Sequence, residues 1–381
     1  MAAVLVVLAL LVAGCAEAKR DTAARGTTPS GAPPPRIPSA PDLPGFAADV
    51  GFASDGSGFA LLGSCGRSVC RHHVAVLDKG AGAWRLGRSP VPDTTDGSGV
   101  TAGLIVLGPG RALITDGKWP PPERTWFTDN GGRSWRQGST GPSGSTPVVP
   151  EGGALVEDCV RVDQERNGCA RSRLLAALPD TGEFRVLATP PPLEGEVRPA
   201  GETADKVLFA AGRAPDSGRP ALAVSEDRGR SWRISRPKGL ERHGWSLQVT
   251  GTGKVLYAVQ RGQLPDEDDV KNGLLTLHRS TDGGHTWERV WKHRKGVEPR
   301  STLGTPVAAA DGSLTVHGEA GAWRSTDGGR SFRPASDARG PAGSVTLTPL
   351  GHLWGSSFNS WSWRISADGV HWRPFELGDG T

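Results

Sequence analysis

The sequence lacks an excess of either charge, a long apolar run beyond its first residues, and helical periodicity. It carries 44 basic and 40 acidic residues among 381, and this net charge of +4 is too small to indicate a nucleic acid partner. After residue 12 no apolar stretch is long enough to cross a bilayer as a helix. Apolar residues instead form short runs, such as 103–107 and 254–259, that are bounded by Gly, Pro or Asp. The sequence therefore predicts an all-β protein of short strands.

The first 15 residues have the pattern of a lipoprotein export signal. An apolar run at 2–12, too short to span a membrane, is followed by Ala13, Gly14 and Cys15. This pattern predicts a signal peptide at 1–14 and a lipid on Cys15, which would hold the chain on the outer face of a bacterial cytoplasmic membrane. An ordinary secretory signal with an incidental cysteine is the alternative. No Lys or Arg precedes the apolar run, so we expect the natural start a few codons upstream.

The segment 15–42 and the remainder of the chain differ in composition. Pro, Gly, Ser, Thr and Ala dominate 15–42, and so few large apolar side chains predict a disordered tether between the lipid and the folded part. Residues 43–381 exceed the usual size of one domain unless the fold is built from repeats.

Four cysteines remain besides Cys15, and they fall into two close pairs, Cys65 with Cys70 and Cys159 with Cys169. An even number of cysteines in an exported protein favours disulfides, and of the three possible pairings the local one would clip two loops. Zinc is the competing interpretation, but it would favour Cys-x-x-Cys spacing. We therefore expect two disulfides, no metal and no cofactor.

A repeat of the form S-x-D-x-G-x-x-[WF] occurs in full at 225–232, 280–287 and 325–332. Its defining residues are Ser225, Asp227, Gly229, Trp232, Ser280, Asp282, Gly284, Trp287, Ser325, Asp327, Gly329 and Phe332. Weaker copies end at Trp135, at Trp372 and, in eroded form, at Trp84 and Phe184. Successive terminal aromatics are 40 to 55 residues apart, which is the length of four short strands with their turns. The repeats predict a seven-bladed β-propeller of four-stranded antiparallel blades over residues 43–381.

These motifs resemble the Asp box of the sialidase-type (BNR) β-propeller superfamily. The seven copies are more similar to its non-catalytic branch, such as photosystem II assembly-factor-type and sortilin-type propellers, than to the six-bladed sialidases. The resemblance implies that each Asp box joins the third and fourth strands of a blade. It also implies that the protein serves as a binding or assembly platform.

The chemistry of the box is architectural. A carboxylate and a hydroxyl two residues apart can hydrogen bond to the turn backbone, and the glycine can adopt positive φ. The terminal aromatic ring can then wedge between blades. We therefore interpret Asp227, Asp282 and Asp327 as turn staples and not as catalytic acids.

Insertions indicate where a ligand would bind. Extra residues fall between the second and third strands of several blades, opposite the Asp-box turns, and long loops on a rigid scaffold are where binding residues concentrate. The alternative is that these are tolerated surface insertions. The candidate ligand contacts are Arg71, His72, Trp119, Arg124, Arg161, Arg166 and Asp268. We expect a protein or glycan ligand and a monomeric protein, and we interpret 266–269 as a solvated acidic loop.

A secreted sialidase-like glycoside hydrolase is the alternative function. The resemblance would require an Arg-Ile-Pro motif at a strand and a tyrosine nucleophile. Arg36, Ile37 and Pro38 form such a triplet but lie in the predicted tether, and the only tyrosine, Tyr257, lies in a predicted second strand of blade five. The sequence therefore favours binding over catalysis, and no catalytic residue is assigned.

Replacing the predicted lipid attachment site tests the anchor. Cys15→Ser should release the protein from membranes into the soluble extracytoplasmic fraction, because serine cannot carry the thioether-linked lipid that would retain it. Fractionation followed by immunoblotting measures this release, with Cys15→Ala as a second variant. Retention of both variants on membranes would contradict a lipid anchor at this cysteine.

Overall fold

The computed structural model describes residues 31–117, 122–163, 165, 168–265, 267–335, 342–356 and 361–380. Seven four-stranded sheets account for the fold, as the repeats predict. Within these residues, no helix has the length and apolar character to cross a bilayer.

The first four blades contain one strand that is paired out of chain order, in blade three. The bounds are β1 (Phe46–Phe52), β2 (Gly58–Cys65), β3 (Cys70–Leu77) and β4 (Arg85–Gly87) in blade one; β5 (Ala102–Gly108), β6 (Arg111–Asp116), β7 (Arg124–Thr128) and β8 (Arg136–Gly138) in blade two; β9 (Ser145–Thr146), β10 (Ala154–Asp163), β11 (Gly168–Ala177) and β12 (Phe184–Leu187) in blade three; β13 (Glu194–Glu202), β14 (Leu208–Arg213), β15 (Pro220–Ser225) and β16 (Arg233–Ser235) in blade four.

The last three blades follow chain order. They contain β17 (Ser246–Thr252), β18 (Val255–Gly262), β19 (Gly273–Ser280) and β20 (Glu288–Lys292) in blade five; β21 (Val307–Ala308), β22 (Leu314–Gly318), β23 (Gly321–Ser325) and β24 (Arg333–Pro334) in blade six; β25 (Gly343–Thr348), β26 (Gly351–Ser356), β27 (Ser362–Ser366) and β28 (Arg373–Glu376) in blade seven.

Each full Asp box lies between the third and fourth strands of its blade, next to the turn between the first two strands. In blade five, for example, the Gly283 amide of the box donates to the carbonyl of Lys254 in that turn, at 3.1 Å. The loops between second and third strands, and the connections between blades, lie at the opposite ends of the strands. We call this opposite side the loop face.

Blade three departs from the regular pattern. β9 pairs with β12 in parallel at the outer edge of the sheet, so the strand order is β10-β11-β12-β9. Pro147 follows β9 and has no amide hydrogen to continue the ladder, which ends the pairing after two residues. The remaining three strands form an ordinary antiparallel sheet, and their β10–β11 hairpin lies on the loop face.

Seven apolar clusters fill the seams between adjacent blades, and each contains one terminal aromatic of the repeat. Trp287, for instance, packs among Leu222 and Val224 of blade four and Leu256 of blade five. The other six rings occupy the other six seams: Trp84, Trp135, Phe184, Trp232, Phe332 and Trp372. Tyr257 is 2% exposed within the seam between blades five and six, which agrees with a packing role.

The ring closes through both ends of the folded chain. The Ala40 amide donates to the Glu376 carbonyl at 2.8 Å, and the Gly378 amide donates to the Ala40 carbonyl at 3.1 Å. Ile37 and Leu43 are buried in the seam that joins blade one to blade seven.

The prediction of a disordered tether up to residue 42 is therefore wrong for 37–42. Ile37 and Leu43 flank a Pro-rich stretch and supply enough apolar surface to fill the closing seam. The Pro38 carbonyl also accepts a hydrogen bond from the indole of Trp84 at 2.9 Å. The Arg-Ile-Pro triplet thus belongs to the closure, with Ile37 in the core and Arg36 exposed.

The hydrogen bonds of the Asp box at Asp282 make its contribution testable. Its carboxylate accepts from the hydroxyl of Ser280 at 2.8 Å and from the amide and hydroxyl of Thr286 at 2.9 and 2.6 Å. Bonds from Thr286 are the main cause that holds the pKa of Asp282 well below its usual range. The carboxylate therefore stabilises the fold above its unfolded pKa, about 3.9, and loses this effect as the pH falls through the lower folded value.

Asp282→Ala should lower the free energy of unfolding at pH 7 by about 1–2 kcal/mol, since it removes several turn hydrogen bonds at once. Denaturant unfolding at pH 7 measures the change. Asp129→Ala, which removes an exposed carboxylate from the neighbouring position of another box, is the matched control and should change little. Equal effects of the two substitutions would contradict the staple role.

Candidate ligand-binding face

Exposed apolar side chains concentrate on the loop face. In the described part of the chain eight large apolar residues are exposed, and six of them lie in loop-face segments. These six are Val69, Val160, Val162, Trp245, Val297 and Trp361. Leu86 in β4 and Leu347 in β25 are the other two. Apolar side chains that remain exposed to solvent on one face of a protein mark that face as a candidate interaction surface.

Both predicted disulfides form, and both lie on the loop face. Cys65–Cys70 closes the hairpin between β2 and β3. Cys159–Cys169 ties together β10 and β11 at the end where Val160 and Val162 are exposed. A cross-linked hairpin loses less conformational freedom on binding than an open loop does, so these two segments are preorganised.

Several predicted ligand contacts lie on this face with accessible side chains. Arg71, Arg161 and Asp268 are exposed. Arg124 is partly exposed, pairs with Asp116 at 2.8 Å and lies over the ring of Trp126 at 5.7 Å. Trp119 and Arg166 lie outside the described residues.

His72 is buried and cannot serve as a ligand contact in this conformation. Its side chain is 5% exposed, and Nδ1 lies 2.9 Å from the carbonyl oxygen of Pro92, so Nδ1 carries the donated proton. The expectation that the whole Arg71–His72 pair faces a ligand is therefore wrong for the histidine. Strand alternation explains the difference, because Arg71 and His72 are neighbours in β3 and point to opposite sides.

The blade-five acidic loop is only partly solvated. Glu267 is 5% exposed, with its carboxylate 3.1 Å from Arg300 and 3.4 Å from His293. Asp268 and Asp269 are exposed, as expected, and Asp266 lies outside the described residues. The interpretation of 266–269 as a solvated loop is thus wrong at Glu267, because a buried carboxylate is tolerated where cations pair with it. No cluster of potential metal ligands occurs among the described residues.

A cavity between blades four and five was not predicted from the sequence. It has a volume of about 170 Å³ and opens at the loop-face ends of β14, β17 and β18. Glu196 and Arg198 from β13, Gln248 from β17 and Arg261 from β18 line it, together with the exposed ring of Trp245. The sequence signal was slight, since Trp245 stands out only as a tryptophan outside the Asp boxes.

Three arginines line this cavity, Arg198, Arg213 and Arg261, and their electrostatic surroundings differ. Arg213 is exposed and donates to the carbonyl of Gly218 at 3.0 Å. Arg198 pairs with Glu196 and lies 3.3 Å from Glu157, so its charge is balanced. Arg261 makes no ion pair with a described residue and donates only from Nε to the Ser246 hydroxyl, at 3.2 Å. Burial, followed by the charge of Arg198, lowers the pKa of Arg261. The cavity therefore holds an arginine whose charge lacks a neighbouring carboxylate.

Glu157, which contacts Arg198 of this cavity, lines a second cavity between blades two and three. The second cavity, of about 180 Å³, is lined by Thr115, Glu157 and Asp158 among others. Burial, the largest effect, raises the pKa of Glu157, and one of its carboxylate oxygens is buried without a hydrogen-bond partner among the described residues. Asp158 pairs instead with Arg173 at 2.7 Å.

Comparison with solved structures returns propellers and carbohydrate-active enzymes at low identity. YCF48 bound to D1 peptide is 14% identical with a TM-score of 0.47, and the match covers 87% of this chain and 96% of that one. A polysaccharide lyase of family PL25, an ulvan lyase, is 9% identical with a TM-score of 0.44, over 91% of this chain and 96% of its own. A Hadza microbial sialidase is 13% identical with a TM-score of 0.37, over 88% of this chain and 66% of that one.

No protein-family model and no curated protein sequence matches the chain. Because these solved structures share 14% sequence identity or less with the chain, its function has to be argued from its own residues.

Proposed function

We propose that this protein is a membrane-anchored extracytoplasmic lipoprotein whose propeller binds a protein or glycan ligand through its loop face. The observation that carries the binding proposal is the concentration of exposed apolar side chains on that face, six of the eight in the described part of the chain. The lipid anchor rests on the export pattern that ends at Cys15.

The form of the loop face supports binding by preformed loops. Two hairpins are clipped by disulfides. The buried carboxylate of Glu267 pairs with Arg300 and contacts His293, which fixes the blade-five loop against the connection that contains these two residues. Such a surface would bind its ligand with little ordering of the backbone. Outside these loops the seams and Asp boxes supply the rigid scaffold.

One observation favours a glycoside hydrolase as the second candidate function. Glu157, whose pKa is raised, and Glu196 both contact Arg198, so two carboxylates lie near each other at the cavities. A pair of carboxyl groups, one acting as the acid and the other as base or nucleophile, is the arrangement that hydrolyses glycosidic bonds. Binding remains the first proposal because Glu157 and Glu196 already share Arg198 as an ion-pair partner.

Replacing the exposed valines of blade three tests the binding proposal. The double variant Val160→Asp with Val162→Asp should retain at least tenfold less ligand than the parent protein, since it replaces two exposed apolar side chains of the loop face with charges. The assay is retention of extracytoplasmic protein and polysaccharide fractions by the immobilised full-length protein. Protease or glycosidase treatment of the fractions identifies the ligand class.

The matched control carries the same two changes outside the loop face, Leu86→Asp with Leu347→Asp, and should bind as the parent does provided that its thermal unfolding is unchanged. Equal binding by both double variants would contradict the proposal. Release of product from a panel of fluorogenic glycosides, abolished by Glu157→Gln, would support the hydrolase instead.

A further inference from the structure

The cavity between blades four and five combines features that few surface depressions share. It holds an arginine without a carboxylate partner, an exposed tryptophan ring and side-chain amides. The Trp245 amide donates to the Arg261 carbonyl at 2.7 Å, so the strand that carries the cation also fixes the backbone of the ring. The positions of the aromatic and cationic groups are therefore linked before any ligand arrives.

The charge of the cavity indicates an anionic ligand. Arg198 is balanced by Glu157 and Glu196, whereas the guanidinium of Arg261 has the Ser246 hydroxyl as its one hydrogen-bond partner among the described residues. A guanidinium presents donors in a planar fork that matches a carboxylate with two parallel hydrogen bonds. A carboxylate on the ligand would supply the counter-charge that the protein itself does not provide.

The uncharged groups indicate a ligand with a ring and hydroxyl groups. Trp245 is 53% exposed and offers a flat apolar surface beside polar side chains. The carbonyl oxygen Oε1 of Gln248 is buried without a hydrogen-bond partner among the described residues. An unpaired buried acceptor is unfavourable, and a hydroxyl donor from a ligand would satisfy it.

The size of the cavity suits one small ring. Its volume of about 170 Å³ is well below the roughly 300 Å³ at which pockets for drug-sized molecules begin. A six-membered sugar ring with a directly attached carboxylate suits this space. An acidic sugar with additional acyl and glycerol side chains would have to place these groups outside the cavity.

We propose that this cavity binds a hexuronate residue of an acidic polysaccharide, with the carboxylate on Arg261, the sugar ring against Trp245 and a hydroxyl on Gln248. This proposal rests on the loop face being a binding surface and specifies the ligand class for one part of it. The polysaccharide would continue from the cavity across the loop face.

Titration calorimetry with a defined acidic trisaccharide tests the proposal. The probes are trigalacturonic acid, its fully methyl-esterified form and sialyllactose, each added to the full-length protein. Trigalacturonic acid should bind at least tenfold more tightly than the ester, because esterification removes the charge and keeps the ring. It should also bind at least tenfold more tightly than sialyllactose.

Variants assign the site within the protein. Arg261→Gln and Trp245→Ala should each weaken trigalacturonate binding tenfold or more. Arg230→Gln removes the same charge from an exposed residue on the Asp-box side and should leave binding unchanged. Trp245 is exposed, so its substitution tests the site even if Arg261→Gln lowers stability.

Equal binding of the acid and its ester, tight binding of sialyllactose, or undiminished binding by Arg261→Gln or Trp245→Ala would overturn the hexuronate site. No binding of trigalacturonate by the parent protein would overturn it as well. These results do not affect the proposal that the loop face binds a ligand, provided that the Val160 and Val162 double variant still retains less ligand than the parent protein. Loss of the proposed function would appear instead in that separate assay.

Discussion

The structure depends on burial between blades. A four-stranded blade has two faces and can cover neither by itself, so each apolar face has to be covered by the next blade around the ring. The ring that ends each repeat lies at this interface, as Trp287 does between blades four and five. An aromatic side chain buries about 150–250 Å², which makes it the largest single contribution to a seam of short strands. The Asp box fixes the turn that leads to this ring.

Repetition made the fold predictable and left its exceptions unpredictable. Seven aromatic positions at intervals of 40 to 55 residues were sufficient to give the number of blades, and the resemblance to Asp-box propellers gave the side on which the boxes lie. Ile37 falls within the predicted tether because composition averages over a segment, whereas closure needs only a few well-placed apolar residues such as Ile37 and Leu43. β9 was missed for a similar reason, since a two-residue parallel pairing has no periodic signal.

The candidate site shows a second limit of sequence reasoning. Insertion lengths and cysteine spacing correctly indicated the disulfide-clipped hairpins, because these are local features. The cavity could not be found in the same way, since Arg198 and Arg261 are far apart in sequence and belong to different blades. His72 and Glu267 illustrate the converse error, in which polar residues expected to face solvent on the loop face, one in a strand and one in a loop, point inward and have partners there.

The closing seam also determines when the ring can be completed. The Glu376 amide donates to the hydroxyl of Ser39, 337 positions away, so this contact has nearly the largest separation the folded chain allows. Neighbouring blades can pair as soon as both have been synthesised, and six seams can form in order along the chain. The first blade, however, exposes one apolar face until the last strand has emerged. Contacts of such high sequence separation form slowly and late. Blade one is therefore the part of the propeller whose apolar face is exposed to non-native association for the longest time during biogenesis.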